Sequence, residues 1–182
     1  YGGSMDGALQ VRGIGSAPRM SVFLTVSQPR YAGVGFDSLT ANFDYRDRRV
    51  DFRSELRGRP GEPVLSAEGA VLADLTLRRV PGDRMPEDPL DVRLAAEDLP
   101  LRVVELATEG LEEVRGTARG DLRVTGSPGS LAYEGRVEAS GLSALVPALG
   151  VRYGSEVAAV RFRGAEASLD SVTITSTLGG SL

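Results

Sequence analysis

The hydroxyls that could serve as nucleophiles, Ser4 and Ser16 among them, have no histidine and no lysine anywhere in the chain to take their proton. No nucleophile-elbow pattern occurs either. Two acidic pairs, Glu112 with Glu113 and Asp88 with Asp91, supply the carboxylates a glycosidase would use. Sugar sites also present aromatic platforms, and this chain has no tryptophan. Asp83, Glu87 and Asp88 miss the ligand spacing of a calcium loop. With no cysteine and no histidine, thiol chemistry and the usual zinc sites are absent. Gly13-Ile14-Gly15 and Gly33-Val34-Gly35 lack the spacing and the following helix of a phosphate loop, so they read as turn glycines. The expectation is a protein that is not an enzyme and holds no cofactor and no metal.

Function must then lie in a surface, and composition says which kind. The chain has 182 residues, 41% of them hydrophobic and 25% charged, enough apolar material to drive folding. Its formal net charge is −4, and Arg46, Arg48 and Arg49 alternate with Asp44, Asp47 and Asp51. A nucleic-acid surface needs a basic stripe with stacking rings, whereas here the signs are mixed and aromatics are 5% of residues. The longest nearly apolar run, Leu142 to Val151, is about half of a membrane-spanning helix and contains Pro147 and Gly150. No transmembrane helix and no nucleic-acid partner are expected.

The most informative pattern is a phrase used twice. Gly7-Ala8-Leu9-Gln10-Val11-Arg12-Gly13 precedes Pro18, and Gly120-Asp121-Leu122-Arg123-Val124-Thr125-Gly126 precedes Pro128. The copies lie about 113 residues apart, the signature of a reused unit and of a slice from a longer array. Each copy alternates apolar and polar residues, as a half-buried strand does.

The alternation continues almost throughout. Val22, Leu24 and Val26 form one stripe; Leu39, Ala41, Phe43 and Tyr45 form another, which turns at Arg46 to Arg49 and returns through Val50 and Phe52 as a hairpin. Further stripes follow at Val64 to Leu72, Leu90 to Ala96, Ala118 to Val124, Leu131 to Ala139, Val151 with Tyr153, Ala158 to Phe162, Ala167 with Leu169, and Val172 with Ile174. Glycines and polar groups at hairpin spacing make these consecutive antiparallel strands. Two segments differ. Pro81 to Pro89 reads as a solvated loop, and Leu101 to Val114 spaces Val103, Val104, Leu106, Ala107 and Leu111 as one short amphipathic helix.

The predicted fold class is all-β. Its organisation is a first β-repeat unit over 1–80, a linking stretch of proline-rich loop, strand and short helix over 81–116, and a second unit over 117–182 that reads as truncated. One short helix cannot cover the apolar face of so many strands. Either the sheet closes into a sandwich or barrel, or it curls incompletely and leaves an apolar groove.

The glycine-bounded phrases, the alternating strand Tyr133 to Ala139, the hairpin entered through Val151-Arg152-Tyr153-Gly154, the run Leu169 to Ile174, the closing Leu178 to Leu182, and Leu99-Pro100-Leu101 before a new repeat resemble the TamB and AsmA-like envelope proteins. That resemblance implies an elongated, twisted, incompletely closed antiparallel sheet in the periplasm of a diderm bacterium. It implies a carrier of phospholipid between inner and outer membranes, anchored in the inner membrane through a segment outside this sequence and working with an outer-membrane barrel partner. The groove wall would then comprise Leu9, Val11, Val22, Leu24, Val26, Phe43, Phe52, Leu122, Val124, Val137, Val160, Phe162 and Ile174. The alternative is a scaffold that assists outer-membrane protein assembly or secretion by offering strand edges. A membrane barrel would need aromatic girdles that a tryptophan-free chain does not supply, and a closed adhesin-like sandwich would bind through its loops.

Overall fold

Alternating side chains, β-branched residues and short polar turns fold this chain into one antiparallel sheet, seen in a computed structural model that describes residues 2–31, 33–76, 89–103, 110–127 and 129–178. The strands are β1 (Gly2–Ile14), β2 (Ala17–Tyr31), β3 (Val34–Gly35), β4 (Ser38–Arg46), β5 (Arg49–Arg57), β6 (Pro63–Leu72), β7 (Leu90–Pro100), β8 (Glu112–Ser127), β9 (Ser130–Val146), β10 (Val151–Gly164), β11 (Glu166–Val172) and β12 (Thr175–Leu178). Their order across the sheet is β1-β2-β4-β5-β6-β7-β8-β9-β10-β11, which is the order of the sequence with tiny β3 set beside β2. Because β1 and β11 stay at opposite edges, the sheet is an open one, as the groove expectation required.

Sequential pairing follows from short connections. Asp47 and Arg48, both at positive φ, form the two-residue tip of the β4–β5 hairpin. The strands β7 and β8 also pair, so the ladder passes from residues of the linking stretch into β8 without a gap in the sheet. β12 continues the edge of β11 along β10, after a break at Thr173 and Ile174.

The expected helix over 101–114 needs correction at its end. Leu101 to Val103 make a single tight helical turn, residues 104–109 lie outside the described residues, and Glu112 to Val114 begin strand β8. The reason is a pair of register shifts, between Glu112 and Arg115 and between Arg115 and Thr117. Extra residues in a bulge break the two-residue period, so Leu111, Val114 and Ala118 acquire spacings of a helical kind. The loop expected over 81–89 also falls outside the described residues except at Pro89.

No second layer packs on this sheet among the described residues: every extensive contact between strands joins ladder neighbours. Among the described residues no large side chain is completely enclosed, and the most enclosed apolar groups are Phe36, Ala41, Tyr45, Val64, Ala70, Ala73, Val114, Ala118, Ala158 and Ala159. Stability therefore accumulates strand by strand through hydrogen-bond ladders and cross-strand pairs, each pair contributing about 0.2–1 kcal/mol. Beyond β6, residues 73–76 fold back over the β4–β5 hairpin. Ala73 donates to the Arg48 carbonyl at 2.9 Å and the Leu75 amide donates to the Tyr45 hydroxyl at 3.1 Å.

Candidate functional site: an uncovered apolar face

Residues directly opposite in a ladder point to the same face, as do alternate residues along one strand. Those two rules and the observed register assign a face to each groove candidate. Leu9 pairs with Val22, Val22 with Phe43, and Phe43 with Phe52. The same rung then continues through Gly69, Val92, Val124 and Tyr133. A second rung runs from Leu24 through Ala41, Ser54, Ala67, Leu94, Leu122 and Gly135 to Phe162. A third runs from Val26 through Leu39, Leu56, Leu65, Ala96, Gly120 and Val137 to Val160. Val11 belongs to a shorter rung with Met20, Tyr45, Val50 and Val71.

Twelve of the thirteen expected wall residues thus share one face of one sheet. Ile174 does not join them: it sits in the break between β11 and β12 and is 62% exposed. That break faces residues 155–157 of β10, where the Ser155 hydroxyl donates to the Val157 carbonyl at 2.8 Å. Val92, Leu94, Leu39, Leu56, Leu65 and Tyr133 complete the wall although the candidate set omitted them. Their signal was present as stripes of the same parity, waiting only for a hairpin register to join them.

The wall residues of β2 and the interior strands are half-buried, and no second layer packs on them among the described residues. Phe43 and Phe52 stack with ring centroids 6.3 Å apart, and Tyr133 and Phe162 sit tilted at 6.5 Å. Phe52 faces Gly69 and Phe162 faces Gly135, so rings cover backbone that would otherwise be bare. Each long rung crosses eight strands, about 34 Å at the usual spacing.

The opposite face is charged. Arg53 bonds Glu68 at 2.8 Å between β5 and β6, Arg123 bonds Asp91 at 2.7 Å between β8 and β7, and Arg161 bonds Asp170 at 2.9 Å between β10 and β11. The Arg123 hydrogen bond holds the Asp91 carboxyl below its usual range. These groups are exposed, where such pairs contribute about 0–1 kcal/mol, so they keep this face wet more than they hold the fold. A depression of about 580 Å³ lies on that face between Asp44, Asp51, Arg53, Glu68 and Asp91. Its acids are engaged: Asp44 accepts from Ser21, Asp51 from Arg49, Glu68 from Arg53 and Asp91 from Arg123. No group of metal-binding side chains occurs among the described residues.

Among the described residues Asp74 is the one strongly perturbed acid. The Thr76 side chain, then the Arg48 guanidinium and the Thr76 amide, lower it from 3.8 to about 2. Arg48 reaches its carboxylate at 2.7 Å. The role is mechanical, for this pairing fixes the 73–76 strap at the end of the apolar face beside Tyr45. At the other ends of the strands, Phe36, Pro60, Pro63, Val64 and Pro100 line a hollow of about 670 Å³.

What this arrangement offers chemically is an amphipathic sheet with one face apolar, continuous and without a second layer packed on it among the described residues. No helix among the described residues is long and apolar enough to cross a membrane. No protein-family model, curated protein or solved structure matches the chain.

Proposed function

We propose that this chain is a segment of a periplasmic, TamB- or AsmA-like envelope protein that carries phospholipid acyl chains along its apolar face between the inner and outer membranes. The observation that carries the reading is the set of long apolar rungs, each crossing eight strands of a sheet with nothing packed on it among the described residues. A patch of that extent is far larger than soluble proteins leave open without a ligand or partner. An acyl chain suits it. Moving from bilayer to apolar sheet exchanges one hydrocarbon surrounding for another, which avoids the roughly 0.8 kcal/mol per methylene of exposure to water. The headgroup stays in solvent at the edge of the stripe, and transfer proceeds near thermal neutrality without nucleophile, metal or base.

Native mass spectrometry of the purified chain with lipid extraction tests this. Co-purified phospholipid that is stripped by delipidation and rebound from vesicles supports it; a chain that neither retains nor rebinds lipid refutes it. One observation favours a second reading, a scaffold for outer-membrane protein assembly: β1 leaves thirteen exposed residues along an open edge, which could pair with an incoming strand.

A further inference from the structure

The phrase repeated in the sequence is a repeated hairpin in the structure. In β1–β2, Leu9 pairs with Val22, Val11 with Met20 and Gly13 with Pro18. About 113 residues on, in β8–β9, Leu122 pairs with Gly135, Val124 with Tyr133 and Gly126 with Leu131. Both strands of the hairpin carry the same offset, so the register is conserved between the copies. The next strand agrees, since Phe43 faces Val22 and Phe162 faces Gly135.

β1 is therefore the counterpart of β8, and the two differ in one respect. The second edge of β8 is covered by β7, whereas that of β1 is open among the described residues. Leu122 and Val124 are half-buried in consequence, while Leu9 is 66% and Val11 52% exposed. On β8, β7 sets Leu90 against Gly126, Val92 against Val124, Leu94 against Leu122 and Ala96 against Gly120.

We infer that the open edge of β1 receives an antiparallel polypeptide strand in the register that β7 takes on β8. Its alternate residues are apolar where they face Gly13, Val11 and Leu9, and small where they face Gly7. The charges of β1 specify the other face. Asp91 of β7 lies opposite Thr125, whose counterpart is Arg12, so the incoming strand carries an acid there. Arg119 pairs with Glu97 of β7, and its counterpart is Asp6, so at that position the incoming strand carries a base. The preferred occupant is thus a β7-like strand with one charge reversed. The far edge of the sheet, split into β11 and β12, offers no comparable length. The inference stands whether or not the apolar face carries lipid.

The absence of cysteine from the chain permits a direct test by disulfide trapping in the intact protein. The probe is a synthetic peptide of the β7 sequence from Leu90 to Pro100 bearing Val92→Cys and Glu97→Arg. In a glutathione buffer it should trap on a Val11→Cys chain, several times more slowly when Glu97 is retained, and hardly at all on a Gln10→Cys chain. Equal trapping at Gln10→Cys, preferential trapping on a Leu169→Cys chain, or disulfide-linked dimers that form in place of peptide adducts would overturn it.

Discussion

Gly120 and Gly135 lie diagonally opposed in the middle of the β8–β9 pair, at φ 149° and 151°. A side chain at Gly120 would overlap the Arg136 carbonyl oxygen, and one at Gly135 would overlap the Asp121 carbonyl oxygen. Gly120→Ala and Gly135→Ala therefore carry two costs. Holding a Cβ in this glycine-only region costs about 1–3 kcal/mol. Forcing two packed strands apart costs roughly another 1–3 kcal/mol. The sum, about 2–6 kcal/mol per substitution, is a large share of the stability of an ordinary domain. At a urea slope of about 1–3 kcal/mol per molar, each unfolding midpoint should fall by on the order of 1–2 M. Gly129→Ala is the control: nothing lies within 4 Å of the added methyl, and the midpoint should not move. If Gly120→Ala and Gly135→Ala unfold at the wild-type urea concentration, these are not positions where the β8 and β9 backbones come too close for a side chain.

Leu24→Asp and Val124→Asp each place a charge on the apolar face between Gly7 and Ala41 and between Val92 and Tyr133. No second layer packs on either site among the described residues, so each should cost about 1 kcal/mol in urea while strongly reducing lipid retained through purification. Wild-type lipid retention by the double variant would remove the apolar face from the pathway. Asp74 has a folded-state pKa below its ordinary value, so its contribution is fully present above 3.8 and is lost as pH falls through about 2. Hydrogen exchange at the Leu75 amide, which donates to Tyr45, should accelerate in that window, and Asp74→Asn should remove the pH step. An unchanged step in Asp74→Asn would assign the strap's stability to other groups.

Much of this was legible from alternation alone. The β4–β5 hairpin was readable because Leu39 to Tyr45 and Val50 to Phe52 keep strict parity around a charged two-residue tip. The common face of Leu9, Val22, Phe43, Phe52 and Val124 follows once consecutive strands are paired. What escaped were the irregularities. β10 looked like two stripes because Val151 and Tyr153 have odd numbers while Ala158, Val160 and Phe162 have even ones. Both stripes belong to one strand, whose ladder to β9 keeps a single register from Val151 to Gly164. In β8 the register shifts between Glu112 and Thr117 imitated a helix near Val114. Mid-strand glycines were read as punctuation, since a sequence cannot distinguish a turn from a position where a neighbouring backbone comes close; Gly69, Gly120 and Gly135 are of the second kind. Ile174 kept the apolar period past the end of β11, where no ladder remains to aim it.

The claim that an acyl chain lies on one particular face can be tested at two adjacent residues. Leu24 points to the apolar face, and Phe23, 48% exposed, points to the charged one. A photo-crosslinking amino acid at each position, followed by mass spectrometry of the intact protein after exposure to phospholipid vesicles, separates the faces. The account predicts phospholipid adducts at position 24 and none above background at position 23. Equal adducts at both positions, or adducts at 23 alone, would contradict it.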